Sequence, residues 1–214
     1  MSIKPDFPSA PEPLPQRQSL ATELLWGVLG LLLTIFSTFV EVFVANPPWE
    51  WFDQGIYAHS LGITYQIGAV LLTACLGGRN AGAFAQCGYL LLGMTWLPIL
   101  ASGEGWHAWQ QPTFGYLVGF IPGAWLCGYF AFRQKASIEI LAGSSLMGLG
   151  TIHLCGILYL FFLALFKIGN PPILPLSSLG TVLNTLSWGV LPAQVILVCL
   201  IAVLAYLLRR ILFI

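Results

Sequence analysis

Six apolar stretches of this sequence are long enough to cross a lipid bilayer. A membrane-spanning helix needs about 20 mostly apolar residues, and windows without charged residues mark where such helices fit. The segment from 61 to 132 is the clearest case, because only Arg79 and Glu104 are charged in it. The pattern predicts an all-α integral membrane protein with helices at 22–44, 61–77, 81–100, 114–132, 139–166 and 186–209.

The basic residues predict the orientation of these helices. Lys and Arg concentrate in cytoplasmic loops, and in a six-helix arrangement all but one of the 8 basic residues fall on one side. Those on the common side are Lys4, Arg17, Arg79, Arg133, Lys135, Arg209 and Arg210. Only Lys167 falls on the other side. We therefore expect a six-transmembrane-helix bundle with both termini cytoplasmic and with the first, third and fifth loops facing outward.

Composition supports the membrane assignment and divides the chain in two. Hydrophobic residues make up 57% and charged residues 7% of the 214 positions, whereas soluble domains carry about 25% charged residues. The polar segment at the start is punctuated by prolines, so we expect a disordered, Pro-rich cytoplasmic tail at 1–21. Residues 22–214 are predicted to form one six-helix membrane domain that binds a substrate. Zero net charge without a basic patch argues against a nucleic-acid partner.

The outward side of the predicted bundle concentrates polar but uncharged groups. These are Gln66 at the start of helix two, Tyr116 at the start of helix four, Tyr159 in the outer half of helix five, and Asn184 and Gln194 around the start of helix six. Trp106 lies in the third loop, at 101–113. Amides in hydrocarbon need partners, and hydrogen bonds between helices alone would supply them. As a set, the groups predict a polar, neutral cavity for a neutral or weakly charged organic ligand, covered by the aromatic first and third loops.

No residue pattern predicts catalysis, a metal site or a cofactor. The three histidines share no ligand motif with a carboxylate, and the 5 cysteines lie in hydrophobic runs without metal-ligand spacing. No nucleophile and base stand at a catalytic spacing, so we expect a binding protein rather than an enzyme. His153 lies near the middle of helix five and has two readings: a neutral imidazole bonded to a neighbouring helix, or a functional group.

Small residues line one face of the first helix. Gly30, Thr34 and Thr38 recur at four-residue spacing, which places them on a common face where another helix can approach closely. Two interpretations remain open at this point. The face either packs inside this chain or docks a separate membrane subunit.

A series of short motifs follows a recognisable order and spacing. They are Thr64-Tyr65-Gln66, Gly77-Gly78 with Gly82, Tyr89-Leu90-Leu91-Leu92-Gly93, Leu97-Pro98-Ile99-Leu100-Ala101 and Pro112-Thr113-Phe114-Gly115-Tyr116-Leu117-Val118-Gly119-Phe120, followed by Gly156-Ile157-Leu158-Tyr159 and Leu191-Pro192. In these motifs the chain resembles the BioY family, the membrane-embedded substrate-binding subunits (S components) of energy-coupling-factor biotin transporters. It departs from the family pattern at Phe114, where Gly is usual, and at Gln194 and Leu197, where Asp and Lys are typical.

The resemblance implies a ligand and a place for it. The ligand is biotin, taken up from the outward side by a multi-pass protein of a prokaryotic plasma (inner) membrane. The groups implied to bind it are Gln66, Tyr116, Tyr159, Asn184 and Gln194, with Trp106 and its aromatic neighbours covering the apolar faces of the ring system. Because Gln194 and Leu197 replace charged residues of the family, a related vitamin or a biotin precursor is the alternative ligand for the same fold.

The resemblance also implies partners. They are a transmembrane scaffold subunit and a pair of ABC-type ATPases, which together form an energy-coupling module on the cytoplasmic side. The face that carries Gly30, Thr34 and Thr38 is the docking surface that this resemblance implies.

Overall fold

The chain folds mainly into helices, with one small sheet. The computed structural model describes residues 19–95, 97, 99–100, 105–166, 168 and 173–212, except for the side chain of residue 54. Its elements are α1 (Leu20–Thr38), β1 (Glu41–Ala45), α2 (Trp51–Gln54), β2 (Ala58–Thr64), α3 (Gln66–Thr95), α4 (Phe114–Ala131), α5 (Ile138–Phe166), α6 (Leu179–Leu183) and α7 (Leu191–Leu212). The predicted tail lies outside the described residues as far as 18, and so do Lys4, Arg17 and Lys167.

Five helical stretches within the described residues are long and apolar enough to cross a membrane. They are Leu20–Thr38, Gln66–Thr95, Phe114–Ala131, Ile138–Phe166 and Leu176–Leu212. The last combines α6, a π-helical turn at Asn184–Trp188 and α7. The predicted helical membrane class is therefore found, with boundaries that differ from the sequence-based ones at several ends.

The helix α3 is a hairpin of two antiparallel arms, 66–77 and 79–95. Gly78 has φ 81° and ψ −177°, a left-handed conformation that glycine adopts without steric cost. Gln66 Nε2 donates a hydrogen bond of 2.9 Å to Tyr89 Oη, although a straight helix would separate these residues by more than 30 Å. At the turn, α4 comes so close that a Cβ at Gly128 would lie 2.6 Å from Arg79 Cα.

The small-residue face of α1 packs against α3 of the same chain. A Cβ added at Gly30 would lie 2.8 Å from Thr73 Oγ1. Thr34 is fully buried and accepts a hydrogen bond of 3.1 Å from Gln86 Nε2, and Thr38 Oγ1 lies 3.2 Å from Tyr89 Oη. In this structure α3 of the same chain therefore covers the face that carries Gly30, Thr34 and Thr38, as the packing interpretation expects.

A β-hairpin replaces part of the predicted first and second helices. The helix expected to reach residue 44 ends at Thr38, and the one expected to begin at 61 begins at Gln66. Strands β1 and β2 pair antiparallel between them. Asn46 is buried in the connecting loop, where its side chain donates to the Gly55 carbonyl and accepts from the Tyr57 amide. The first loop is thus an ordered hairpin, and the all-α prediction is corrected by this sheet.

A buried arginine connects three helical segments at the end of the bundle opposite to the β-hairpin. Arg209 is 3% exposed, and its Nε and Nη1 donate to the carbonyls of Cys75 (2.7 Å) and Ala131 (2.9 Å). Its guanidinium also lies 3.8 Å from the centroid of the Phe132 ring. The C-terminal ends of the first arm of α3 and of α4 therefore meet α7 here. Arg79 lies at this end too, near the rings of Trp125 and Tyr129 on α4.

Candidate functional site

A chain of hydrogen bonds joins four buried side chains at the end of the bundle far from Arg209. Tyr116 Oη lies 2.6 Å from Ser187 Oγ, which lies 3.1 Å from His153 Nδ1. His153 Nε2 lies 2.6 Å from Gln194 Oε1. The exposed fractions are 9% for Tyr116, 5% for His153, 1% for Ser187 and 7% for Gln194. We call these four residues the His153 cluster.

The local structure around the cluster explains how four segments meet. Gly156 lies one turn after His153 on α5, and a Cβ there would come within 2.5 Å of Tyr116 Cζ, so only glycine lets the Tyr116 ring lie against α5. The rings of Tyr116 and His153 meet edge to face, with centroids 5.6 Å apart. Ser187 belongs to the π-helical turn Asn184–Trp188, and such turns are common at functional sites.

A second cluster surrounds Tyr89 on the second arm of α3. Tyr89 is fully buried. Its hydroxyl accepts from Gln66 Nε2 and donates to the Ile99 carbonyl at 3.1 Å, with Thr38 Oγ1 also in reach. Gln66 is therefore tied to the α1–α3 packing through Tyr89, and the structure places it in a different hydrogen-bonded group from Gln194.

The aromatic third loop contacts the bundle through Tyr159. This loop contains a short 3-10 helix, Gly105–Gln110. Tyr159 on α5 donates a hydrogen bond to the carbonyl of Trp109 in that helix, and its ring packs on Phe114 at 5.8 Å between centroids. Trp106, in the same helix, is 66% exposed. Tyr159 thus holds the loop that carries Trp106, and Gly103 and Glu104 of this loop lie outside the described residues.

Asn184 begins the π-helical turn and is exposed. Its backbone carbonyl accepts from the Gly189 amide at 2.7 Å. Of the predicted site residues, the structure brings Tyr116 and Gln194 together in the His153 cluster. Gln66 lies in the Tyr89 cluster, and Trp106, Tyr159 and Asn184 lie in or against the covering segments.

The sequence does not predict Ser187 or Tyr89 as members of these buried clusters. Ser187 carries no distinctive signal, because a serine in a hydrophobic helix usually bonds its own backbone. Tyr89 stands out in the sequence only as part of the motif Tyr89-Leu90-Leu91-Leu92-Gly93. His153 did carry a signal, since an imidazole near the middle of a membrane helix is expensive unless it is paired. The interpretation of His153 as a neutral, hydrogen-bonded group agrees with its two partners.

The chemistry of the His153 cluster is that of recognition. It contains an amide, an imidazole and two hydroxyls, and it contains no carboxylate, ammonium or guanidinium. Among the residues that the structure describes, no three His, Cys, Asp or Glu side chains are grouped to hold a metal ion. At the position expected for a cation, Leu197 is 3% exposed and packs near Gly68 of α3.

The fold and the His153 cluster define this chain as a multi-pass helical membrane protein with a neutral polar cluster in its interior. A solved structure, the S-component for biotin from an ECF-type ABC transporter, has the same fold. It superposes with a TM-score of 0.62 over 89% of this chain and 92% of that chain, at 20% sequence identity.

The chain belongs to the BioY family, whose sequence pattern it matches over residues 16–213. It is 38% identical to the biotin transporter BioY of Thermotoga maritima over 46% of this chain, which spans 59% of that relative. It is 25% identical to an uncharacterised 21.2 kDa protein of Cyanophora paradoxa over 88% of this chain and 95% of that one. The membership confirms the family resemblance and the expectation that the chain is a transport protein rather than an enzyme.

Proposed function

We propose that this chain is the membrane-embedded substrate-binding subunit for biotin uptake of the energy-coupling-factor type. The observation that carries the proposal is the His153 cluster, a neutral set of donors and acceptors buried between α4, α5 and α7. The bicyclic head of biotin contains a cyclic urea, which is neutral and offers one carbonyl and two N–H groups. A buried neutral amide such as that of Gln194 complements a urea, and it rejects ligands that leave it unpaired.

The other predicted site residues take supporting places in this proposal. Gln66 would complete the ligand's hydrogen bonds from α3 through its side-chain carbonyl, because its Nε2 is bonded to Tyr89. Trp106 and Tyr159 would close the outward side, Tyr159 by holding the third loop. Asn184 would contact the ligand from the exposed side of the π-helical turn.

The two arms of α3 support six membrane crossings, namely α1, the two arms, α4, α5 and α7. Arg79 at the α3 turn and Arg209 on α7 lie at the same end of this bundle, and so does Arg133, which follows α4. Basic residues concentrate on the cytoplasmic side, so we place this end, and with it both termini, in the cytoplasm. The β-hairpin and the third loop then face outward, in a prokaryotic plasma membrane.

Titration of the purified full chain with biotin tests the ligand directly. We expect saturable binding in isothermal titration calorimetry, and we expect that Gln194→Leu abolishes it, because a leucine of similar size removes both hydrogen-bonding atoms. A tenfold excess of an unrelated vitamin serves as the control. The proposal fails if the chain shows no saturable binding at micromolar biotin. If Gln194→Leu binds as the native chain does, the contact moves from Gln194 to the aromatic third loop.

The energising partners are tested separately. We infer that a transmembrane scaffold subunit and a pair of ABC-type ATPases act with this chain. Uptake of labelled biotin by cells should depend on ATPase subunits that co-purify with the tagged chain. Uptake that persists in cells without such ATPases would contradict this part of the proposal and leave the binding function intact.

A further inference from the structure

The hydrogen bonds of the His153 cluster have a defined direction. Gln194 Oε1 can only accept, so His153 Nε2, 2.6 Å away, carries the ring proton of the neutral imidazole. His153 Nδ1 is then an acceptor and receives the hydroxyl proton of Ser187. Ser187 Oγ in turn accepts from Tyr116 Oη. Each donor in this chain therefore has one acceptor, and the series ends at the carboxamide oxygen of Gln194.

The direction of the chain determines which atoms of Gln194 remain for a ligand. The hydrogen bond described for its side chain uses the oxygen, and no bond to Nε2 is found among the described residues. Gln194 keeps 7% of its surface accessible. The amide therefore faces a ligand with its N–H groups, whereas an aspartate at this position, typical of the family, would face it with an acceptor.

We propose that His153 is a positioning residue that holds the carboxamide of Gln194 with its N–H groups toward the ligand, so that this site selects a ligand with a carbonyl acceptor. This inference rests on the proposed binding of biotin. The imidazole is well suited to the task because it is held at both nitrogens and against the edge of the Tyr116 ring. A carboxamide whose oxygen is bonded in this way cannot rotate to present that oxygen without losing the bond.

Two ligands distinguish a glutamine at position 194 from a carboxylate there. One carries a urea and the other carries a guanidinium in its place. The cyclic urea of biotin has a carbonyl that can accept from Gln194. The cyclic guanidinium of 2-iminobiotin, which is protonated at neutral pH, has only N–H groups there and would place donor against donor. A carboxylate at position 194 would reverse the preference, because it accepts from a cationic donor in a charge-assisted bond.

The test is the ratio of dissociation constants for 2-iminobiotin and biotin, measured by calorimetry at neutral pH on the purified full chain. We expect the native chain to prefer biotin by about a hundredfold, because a donor set against a donor leaves a buried polar group unpaired. His153→Phe keeps a ring of similar shape against Tyr116 and removes both nitrogens; it should lower this ratio about tenfold, the effect of one oriented hydrogen bond. Gln194→Glu should shift the preference toward 2-iminobiotin.

The outcomes distinguish this inference from the proposed function. No biotin binding by the native chain overturns both. Biotin binding by the native chain, together with an unchanged ratio in His153→Phe, overturns the positioning role alone. An equal loss for both ligands shows a merely structural role and overturns it as well. If His153→Phe does not fold, two other variants provide the test. Ser187→Ala frees His153 Nδ1 without changing the ring, and Gln194→Glu replaces the amide by a carboxylate. Ratios of dissociation constants equal to the native one in both variants reject the inference.

Discussion

The buried guanidinium of Arg209 should stabilise the bundle strongly, because it bonds the C-terminal ends of two helical segments at once. The carbonyls of Cys75 and Ala131 lack partners within their own helices near these ends, and Arg209 supplies both donors. The positive charge of Arg209 also interacts favourably with the negative C-terminal ends of the helix dipoles. Arg209→Met removes both hydrogen bonds and the contact with the Phe132 ring.

The magnitude follows from these contacts. A hydrogen bond to a charged donor contributes about 1.5–3 kcal/mol, so the two together contribute about 4 kcal/mol. At roughly 2–4 °C per kcal/mol for a chain of this size, Arg209→Met should lower the melting temperature by about 8–16 °C. Arg209→Lys keeps the charge but offers a single donor centre, so it should lose about half of this amount.

Thermal unfolding of the detergent-solubilised protein measures the effect, and the neighbouring arginine provides a matched control. Arg210 is exposed, so Arg210→Met makes the same change of charge one residue away and should leave the melting temperature within about 2 °C of the native value. Equal melting temperatures for Arg209→Met and Arg210→Met would refute the reasoning, because only Arg209 bonds the two helix ends.

Three further predictions use the same unfolding assay. Gly156→Ala should lower the melting temperature by several degrees and weaken biotin binding, because its Cβ would meet the Tyr116 ring. Gly150→Ala, whose Cβ meets open space, should leave the melting temperature unchanged or slightly raised. A similar decrease in both variants would contradict this prediction. Gly78→Ala should lower the free energy of unfolding by about 1–2 kcal/mol, because the positive φ is unfavourable for alanine. An unchanged melting temperature would show that the turn does not require glycine. Tyr89→Phe should cost about 1–3 kcal/mol, because it removes the partner of the buried Gln66 amide; an unchanged melting temperature would show that this hydroxyl is dispensable.

The sequence predicted the helical framework better than its ends. Charge-free windows locate membrane helices because burial in lipid excludes charge along a whole span. The predicted extension of the first helix to residue 44 is wrong. The segment 41–44 is apolar apart from Glu41, and its pairing with Ala58–Thr64 depends on residues far along the chain. The sequence predicts separate helices at 61–77 and 81–100, and Gly78, with its positive φ, lies between them.

The site was predicted in composition but only partly in arrangement. The sequence predicts Tyr116 and Gln194 as site residues because neutral polar groups in hydrocarbon need partners, and the structure places both in the His153 cluster. The same reasoning predicts Gln66, yet the partner of its amide is Tyr89. Which partner a buried amide takes depends on the rotation of each helix about its axis, and the sequence does not carry that information one helix at a time. Thr38 illustrates the same limit, because its four-residue spacing predicts a face that another helix can approach without indicating that this helix is α3 of the same chain.

The hairpin form of α3 has a consequence for how the chain enters the membrane during synthesis. The arm 66–77 is about 18 Å long at 1.5 Å per residue, shorter than a hydrocarbon core of about 30 Å, so its crossing depends on the arm that follows it. It therefore makes a poor independent insertion signal, and the longer arm 79–95 should carry it into the bilayer with Arg79 retained at the cytoplasmic face. The two arms would then insert as one unit, and a charge introduced near Ala85 would misplace both crossings together instead of one.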